Sequence, residues 1–148
     1  MHTTCYEKQK IVESLFADCC DTEAKYQRII ELGKKLPKLS SELKTNDRLV
    51  RGCQSKMFLF TTMSADKMRF QAEADALISA GLAHLLIMVY DNESPETVLK
   101  CPPAFLDNLN IPASLSPNRA NGLYSLHLRM KQEALQLAAQ NLGYTQTS

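Results

Sequence analysis

In the stretch Leu49-Val50-Arg51-Gly52-Cys53-Gln54-Ser55-Lys56-Met57-Phe58-Leu59-Phe60, one cysteine follows a glycine and stands between two cations, just before an apolar run. A thiol acts as a nucleophile through its thiolate, and nearby positive charge favours that form. Arg51 and Lys56 are placed in sequence to supply the charge. Gly52 lets the backbone turn, or be approached closely, because no Cβ intervenes. Gln54 and Ser55 add neutral hydrogen-bond donors, and Met57 to Phe60 anchors the loop to a core. This makes Cys53 a candidate nucleophile. The same residues also suit a plainer role, since free cysteine packs well as a small buried residue at a strand end.

The remaining candidates for chemistry offer less. Cys5, Cys19, Cys20 and Cys101 bring the cysteines to an odd five, without a Cys-x-x-Cys pair or a His-x-x-x-His spacing. A zinc site is therefore not expected, and reduced thiols are the simplest account. Cys19 falls on the inner stripe of a helix, Cys20 near its exposed end, and Cys101 in a structural place before Pro102-Pro103. His84 falls on a helix where packing and one hydrogen bond account for it, and His127 on a helix with a packing role, so neither marks a Cys–His pair.

With 148 residues, 45% hydrophobic and 22% charged, the chain suits one globular domain with its own core. A formal charge of +1 gives no field to draw it to nucleic acid or an anionic membrane. The longest apolar stretch, Ala76 to Tyr90, is broken by Ser79, Gly81 and His84. It is also shorter than the roughly 20 residues of a membrane span. The first residues show no apolar signal region, so a cytoplasmic location is expected.

The elements that must position Cys53 follow from periodicity. Residues 1–6 carry none and are expected to fray. Ile11, Val12, Leu15, Phe16 and Cys19 fall at helical spacing, giving a helix from Glu7 to about Asp18. Asp21 reads as the cap of a second helix with Tyr26, Ile29, Ile30, Gly33 and Leu36 on its inner stripe, stopped by Pro37. A polar connector over 37–48, pinned by Leu39 and Leu43, leads to a short edge strand over Arg48 to Arg51. Ser55 to Met63 reads as a buried strand, Ser64 to Lys67 as a turn, and Met68 to Ala74 as an alternating strand. Asp75 is placed to cap the next helix, Ala76 to about Tyr90, whose apolar character nearly all round predicts a central buried helix. Ser94-Pro95 and Ser116-Pro117 each open a further helix, with a brief one over Ala104 to Leu109 between them. The second of these is long, with Leu123, Leu126, Met130, Ala134 and Leu137 inward, and the tail from Asn141 is expected to be loose.

At this point the chain resembles a known family. Val50-Arg51-Gly52-Cys53-Gln54-Ser55 is similar to the Gly-Cys-Gln-Ser motif of the SufE family, the sulfur-acceptor partners of cysteine desulfurases. Lys25 to Pro37 resembles that family's early helix, Asp75 to Leu82 its Asp-to-Gly-Leu segment, and Leu115 to Leu123 its Ser/Thr-Pro-x-Arg-x-x-Gly-Leu segment. The four blocks stand in the family's order and cover roughly Asp21 to Ala138. The first twenty residues, with Cys5 and Cys19-Cys20, lie outside the match, and Cys101 stands where the family has a residue other than cysteine.

The resemblance implies one α+β domain with helices on one face of a small three-stranded antiparallel sheet. It implies that Cys53 takes persulfide sulfur from a desulfurase (SufS- or CsdA-like) and passes it to an iron–sulfur scaffold (SufBCD-like) or another recipient. No cofactor of its own is implied, since the pyridoxal phosphate sits on the partner. The protein would act as a sulfurtransferase-type accessory more than as a stand-alone enzyme. Arg51 and Gly52 would serve the loop, with Gln54 and Ser55 shaping it. Arg119 would meet the loop backbone, a persulfide or an acidic group on the desulfurase. Asp75 matches a docking position, although helix capping explains it equally well. An iron–sulfur scaffold and a purely regulatory desulfurase-binding module are the alternatives. A scaffold needs several converging ligands, and only one cysteine lies in the loop.

Overall fold

A computed structural model describes residues 2–53 and 55–147, with side chains through Gln140. Helix α1 (Thr3–Ser14) and helix α2 (Thr22–Lys35) precede strands β1 (Met57–Ser64) and β2 (Lys67–Ala74). Helices α3 (Leu77–Tyr90), α4 (Pro95–Lys100), α5 (Ala104–Asn108) and α6 (Pro117–Thr147) follow. The capping signals act as the sequence predicts at three starts. Asp21 accepts from Ala24 N at 2.8 Å at the start of α2, Ser94 from Thr97 N at 3.2 Å at α4, and Ser116 from Arg119 N at 3.3 Å at α6.

Helix α3 is the centre. Ten of its residues are buried, and α1, α2, α6 and β2 all pack on it. The strands pair antiparallel from Met57↔Ala74 to Ser64↔Lys67. Their alternation turns Leu59, Met68, Phe70 and Ala72 into the core, while Gln71 and Arg69 face outward.

Two expectations need correction. Among the described residues the sheet has two strands and not three. Where the edge strand was expected, Asn46–Arg48 forms a 3₁₀ turn, and contact with β1 is limited to the Leu49↔Phe58 bridge and Val50 N donating to Met57 O at 2.8 Å. The chain then turns away at Arg51-Gly52, so there is no length in which a ladder could form. The second correction concerns the N-terminus. Helix α1 starts at Thr3, with Cys5 fully buried and Gln9 nearly so. Cys5, Gln9, Val12 and Phe16 continue one stripe at helical spacing, and the polar Gln9 hides it from a hydrophobicity reading. Its amide is fully engaged: Nε2 donates to Pro102 O at 2.9 Å, and Phe105 N donates to Oε1 at 3.1 Å. Lys8 adds an ion pair to the buried Glu93 at 2.6 Å, whose carboxylate also accepts from Thr4 Oγ1. Helix α6 extends through Thr147.

Membrane insertion by a helix finds no candidate, because no helix among the described residues is long and apolar enough to cross a bilayer. His84 fits its packing role, with Nδ1 2.8 Å from Leu32 O.

His127 has a less comfortable place. Its ring stacks on Tyr90 with centroids 5.5 Å apart, and its Nε2 is buried without a hydrogen-bond partner among the described residues. Burial, and to a lesser degree Lys131, lower its pKa from 6.5 to about 4. Between those values the unfolded chain holds a proton that the folded chain does not. Stability is therefore complete above about pH 6.5 and is lost progressively as pH falls toward 4. The loss amounts to about 3 kcal/mol. Denaturant midpoints are expected to drop across this window, and His127→Phe to flatten that part of the profile. Identical acid slopes in the two proteins would contradict this.

Candidate functional site

The turn at Arg51-Gly52 delivers Cys53 to the flank of α6. Gly52 has φ of +90°, so the chain reverses and the Cys53 side chain is directed inward. Its Sγ donates to the Gly122 carbonyl at 3.5 Å. Beside the sulfur is a small cavity of about 10 Å³, walled by Ser55, Met57, Ser79, Leu82, Arg119, Gly122 and Leu123 among others. That is space for about one water-sized sphere. On its other side Cys53 borders an open hollow of about 420 Å³, shared with Leu49, Val50, Ser55, Lys56 and Asp75. The half-buried thiol thus stands between a small recess and a wider, more open hollow.

The electrostatics reverse the expectation from sequence. Arg51 and Lys56 are exposed, and burial alone moves the Cys53 thiol, raising its pKa above the ordinary value of 9.0. Arg51 and Lys56 flank Cys53 in sequence without contributing to this shift. At rest Cys53 is a sheltered thiol.

The expected site residues are in part brought together. Arg119 and Ser55 share the cavity with Cys53. Arg119 Nη1 donates to Ser79 Oγ at 3.1 Å, which is none of the partners expected for it. Asp75 borders the outer hollow but does not cap α3, whose N-cap is Ala76 with no side-chain bond. Instead Asp75 Oδ1 accepts from Lys56 N at 3.0 Å, and Asp75 N donates to Lys56 O at 3.0 Å. This braces the exit of the Cys53 loop into β1. Gln54 lies outside the described residues. Ser79 and Gly122 are additions; both fall inside segments that resemble the family's, but nothing in the sequence gives either of them a role at the site. Cys5 and Cys101 are buried and Cys20 is exposed, the last as expected. Among the described residues no group of three or more His, Cys, Asp or Glu side chains is arranged to hold a metal ion.

Residues 9–134 match the family model for SufE, described as a Fe-S metabolism associated domain. The chain belongs to the SufE family. Among its SufE-like relatives, an uncharacterized protein of Rhizobium etli is 35% identical over 137 residues, covering 88% of this chain and 90% of that one. An uncharacterized SufE-like protein of Synechocystis is 31% identical over 126 residues, covering 85% and 79%. SufE-like protein 1, chloroplastic/mitochondrial, of Arabidopsis thaliana is 32% identical over 130 residues, covering 87% of this chain and 35% of that protein. A solution structure of a hypothetical protein from Thermus thermophilus superposes with a TM-score of 0.72 at 25% identity, covering 89% and 96%. SufE membership ties the chain to iron–sulfur metabolism and a sulfur-transfer role.

The shelter of Cys53 depends on Gly52. A side chain at its φ costs about 1–2 kcal/mol, and a Cβ there would lie 2.4 Å from Ser125 Oγ and 3.2 Å from Ser125 Cβ. Gly52→Ala is therefore expected to lift the loop off α6 and to raise the reactivity of Cys53 toward a bulky aromatic disulfide by roughly tenfold. Adding Ser125→Ala removes the nearest clash and is expected to restore part of the protection. Wild-type reactivity in folded Gly52→Ala would contradict the account.

Proposed function

We propose that this SufE-family protein accepts sulfane sulfur on Cys53 from a pyridoxal-phosphate-dependent cysteine desulfurase of SufS- or CsdA-like type. In this reading it stimulates that enzyme and passes the sulfur to a SufBCD-like scaffold or another recipient, as a cytoplasmic sulfurtransferase-type accessory. The observation that carries the reading is the Gly-Cys-Gln-Ser cysteine held beside a cavity of one-atom size, in a domain of this family.

The chemistry asks for two states of Cys53. Attack on a persulfide requires the thiolate, and a sulfur resting in the cavity is a protonated, protected thiol. The loop must therefore move toward the open hollow when the partner docks, where Arg51 and Lys56 are exposed and can stabilise the charge. There the Cys53 thiolate attacks the outer sulfur of the desulfurase persulfide. The bond between the donor's two sulfurs breaks, and the desulfurase cysteine leaves as a thiolate. The loop then returns, and the transferred sulfur is screened from reductants. Asp75 and Lys56 hold the loop's exit at that hollow and face the partner. The pyridoxal phosphate stays with the desulfurase, and this chain needs no cofactor.

Desulfurase turnover in the presence of cysteine is expected to rise and saturate as wild-type protein is added. Cys53→Ser should give no stimulation, while competing with the wild type for the enzyme. Equal stimulation by Cys53→Ser would turn the protein into a regulatory binding module.

A further inference from the structure

Ser79 is buried in α3, and its hydroxyl joins two walls of the Cys53 cavity. Ser55 Oγ donates to Ser79 Oγ at 2.7 Å, and Arg119 Nη1 donates to the same oxygen at 3.1 Å. One oxygen thus connects the segment that carries Cys53 to the guanidinium that reaches in from α6. All three residues line the cavity.

Neither placement is favourable by itself. Ser79 desolvates a hydroxyl within a helix whose other buried residues are almost all apolar. Arg119 stands in the first turn of α6, where the helix dipole disfavours a cation. The bond between them satisfies the hydroxyl and fixes the cation at the wall of the one-atom space. The resting thiol does not register this cation, because burial alone shifts it. The group that would meet it is a further atom on the sulfur.

We propose that Ser79 is a positioning residue for sulfur carried on Cys53: it holds the Arg119 guanidinium at the cavity wall, where the terminal sulfur of a Cys53 persulfide places its negative charge. This rests on the acceptor reading above. When the Cys53 thiolate takes the outer sulfur of a donor persulfide, the new S–S bond forms as the old one breaks, and the donor leaves as a thiolate. The transferred sulfur then releases its proton to water, with no net oxidation. The side chain has lengthened by one S–S bond, about 2 Å, which suits the cavity. An anion buried there is heavily penalised unless an opposite charge meets it. Ser55 makes the arrangement complete only when the loop is home.

The test uses inorganic polysulfide as the sulfur source, so that no desulfurase is involved. Wild type, Ser79→Ala and Ser79→Thr are loaded, and the Cys53 peptide is followed by mass spectrometry. In Ser79→Ala the pH midpoint for alkylation of the persulfide is expected to rise by about one unit, because the cation is no longer held beside it. Glutathione should strip the sulfur several-fold faster. Ser79→Thr keeps the hydroxyl and is expected to keep the wild-type midpoint. An unmoved midpoint in folded Ser79→Ala, even with lowered stability, overturns the proposal, as does a wild type that holds no sulfur at Cys53. If the wild type loads from polysulfide but not from a desulfurase, the acceptor reading fails and the Ser79 comparison still decides its own question.

Discussion

Gly81→Ala is expected to leave the protein unfolded or only marginally folded, and Gly33→Ala to come close to it. The two glycines make the crossing of α2 and α3. A Cβ on Gly81 would lie 1.9 Å from the Ile29 carbonyl oxygen and 2.7 Å from its carbon. A Cβ on Gly33 would lie 2.1 Å from Leu77 O and 2.9 Å from Gly81 N. These are backbone atoms of helices, so no side-chain rotation relieves the contact. The helices must separate by roughly 1 Å or more, in an interior packed as densely as a crystal. Alanine is the better helix former by about 1 kcal/mol, which opposes the effect. Overpacking of a buried site costs about 1–3 kcal/mol and sometimes more, and here the partner cannot yield. With α3 at the centre of the core, the loss is a large part of a total stability of about 5–15 kcal/mol. Urea unfolding should show a much lower midpoint or no native baseline. A Gly81→Ala protein as stable as the wild type would show that the helices do not cross as described.

What the sequence made legible was local. Period and capping residues located α2, both strands, α3, α4 and the start of α6, because each signal lies within a few residues of its consequence. The family motifs then placed Cys53, Arg119 and Asp75 in one functional region. Effects that depend on distant partners stayed hidden. Gly81 reads as a break in an apolar run, and its reason, the Ile29 carbonyl, is on another helix. The missing third strand follows from the turn at Gly52, which takes the chain to α6 after a single bridge to β1. Gln9 conceals the first two turns of α1, since it is a polar residue satisfied by Pro102 and Phe105 across the fold.

The site shows the same division. Flanking Arg51 and Lys56 suggest an activated thiolate, yet burial decides the outcome and raises the pKa. Asp75 has the right type and place for a helix cap, and Lys56 N takes it instead. Ser79 sits in a family-like segment without a role of its own there; its contacts with Ser55 and Arg119 give it one.

Cys53→Ser is expected to abolish sulfur acceptance while leaving the fold in place. The replacement is nearly isosteric, the residue is only half-buried, and the bond it makes to Gly122 O is one that a hydroxyl can also make. Serine, with a far higher pKa than a thiol, is no nucleophile toward a persulfide at neutral pH, so chemistry and structure separate cleanly. The other four cysteines do not line the cavity, and Cys5 is buried with its pKa raised to about 12, chiefly by that burial. The most direct measurement is intact mass after incubation with a cysteine desulfurase and cysteine, wild type beside Cys53→Ser. The account predicts a gain of one sulfur atom in the wild type and none in the variant. A gain that persists in Cys53→Ser, or no gain in folded wild type with SufS- and CsdA-like enzymes alike, would contradict it.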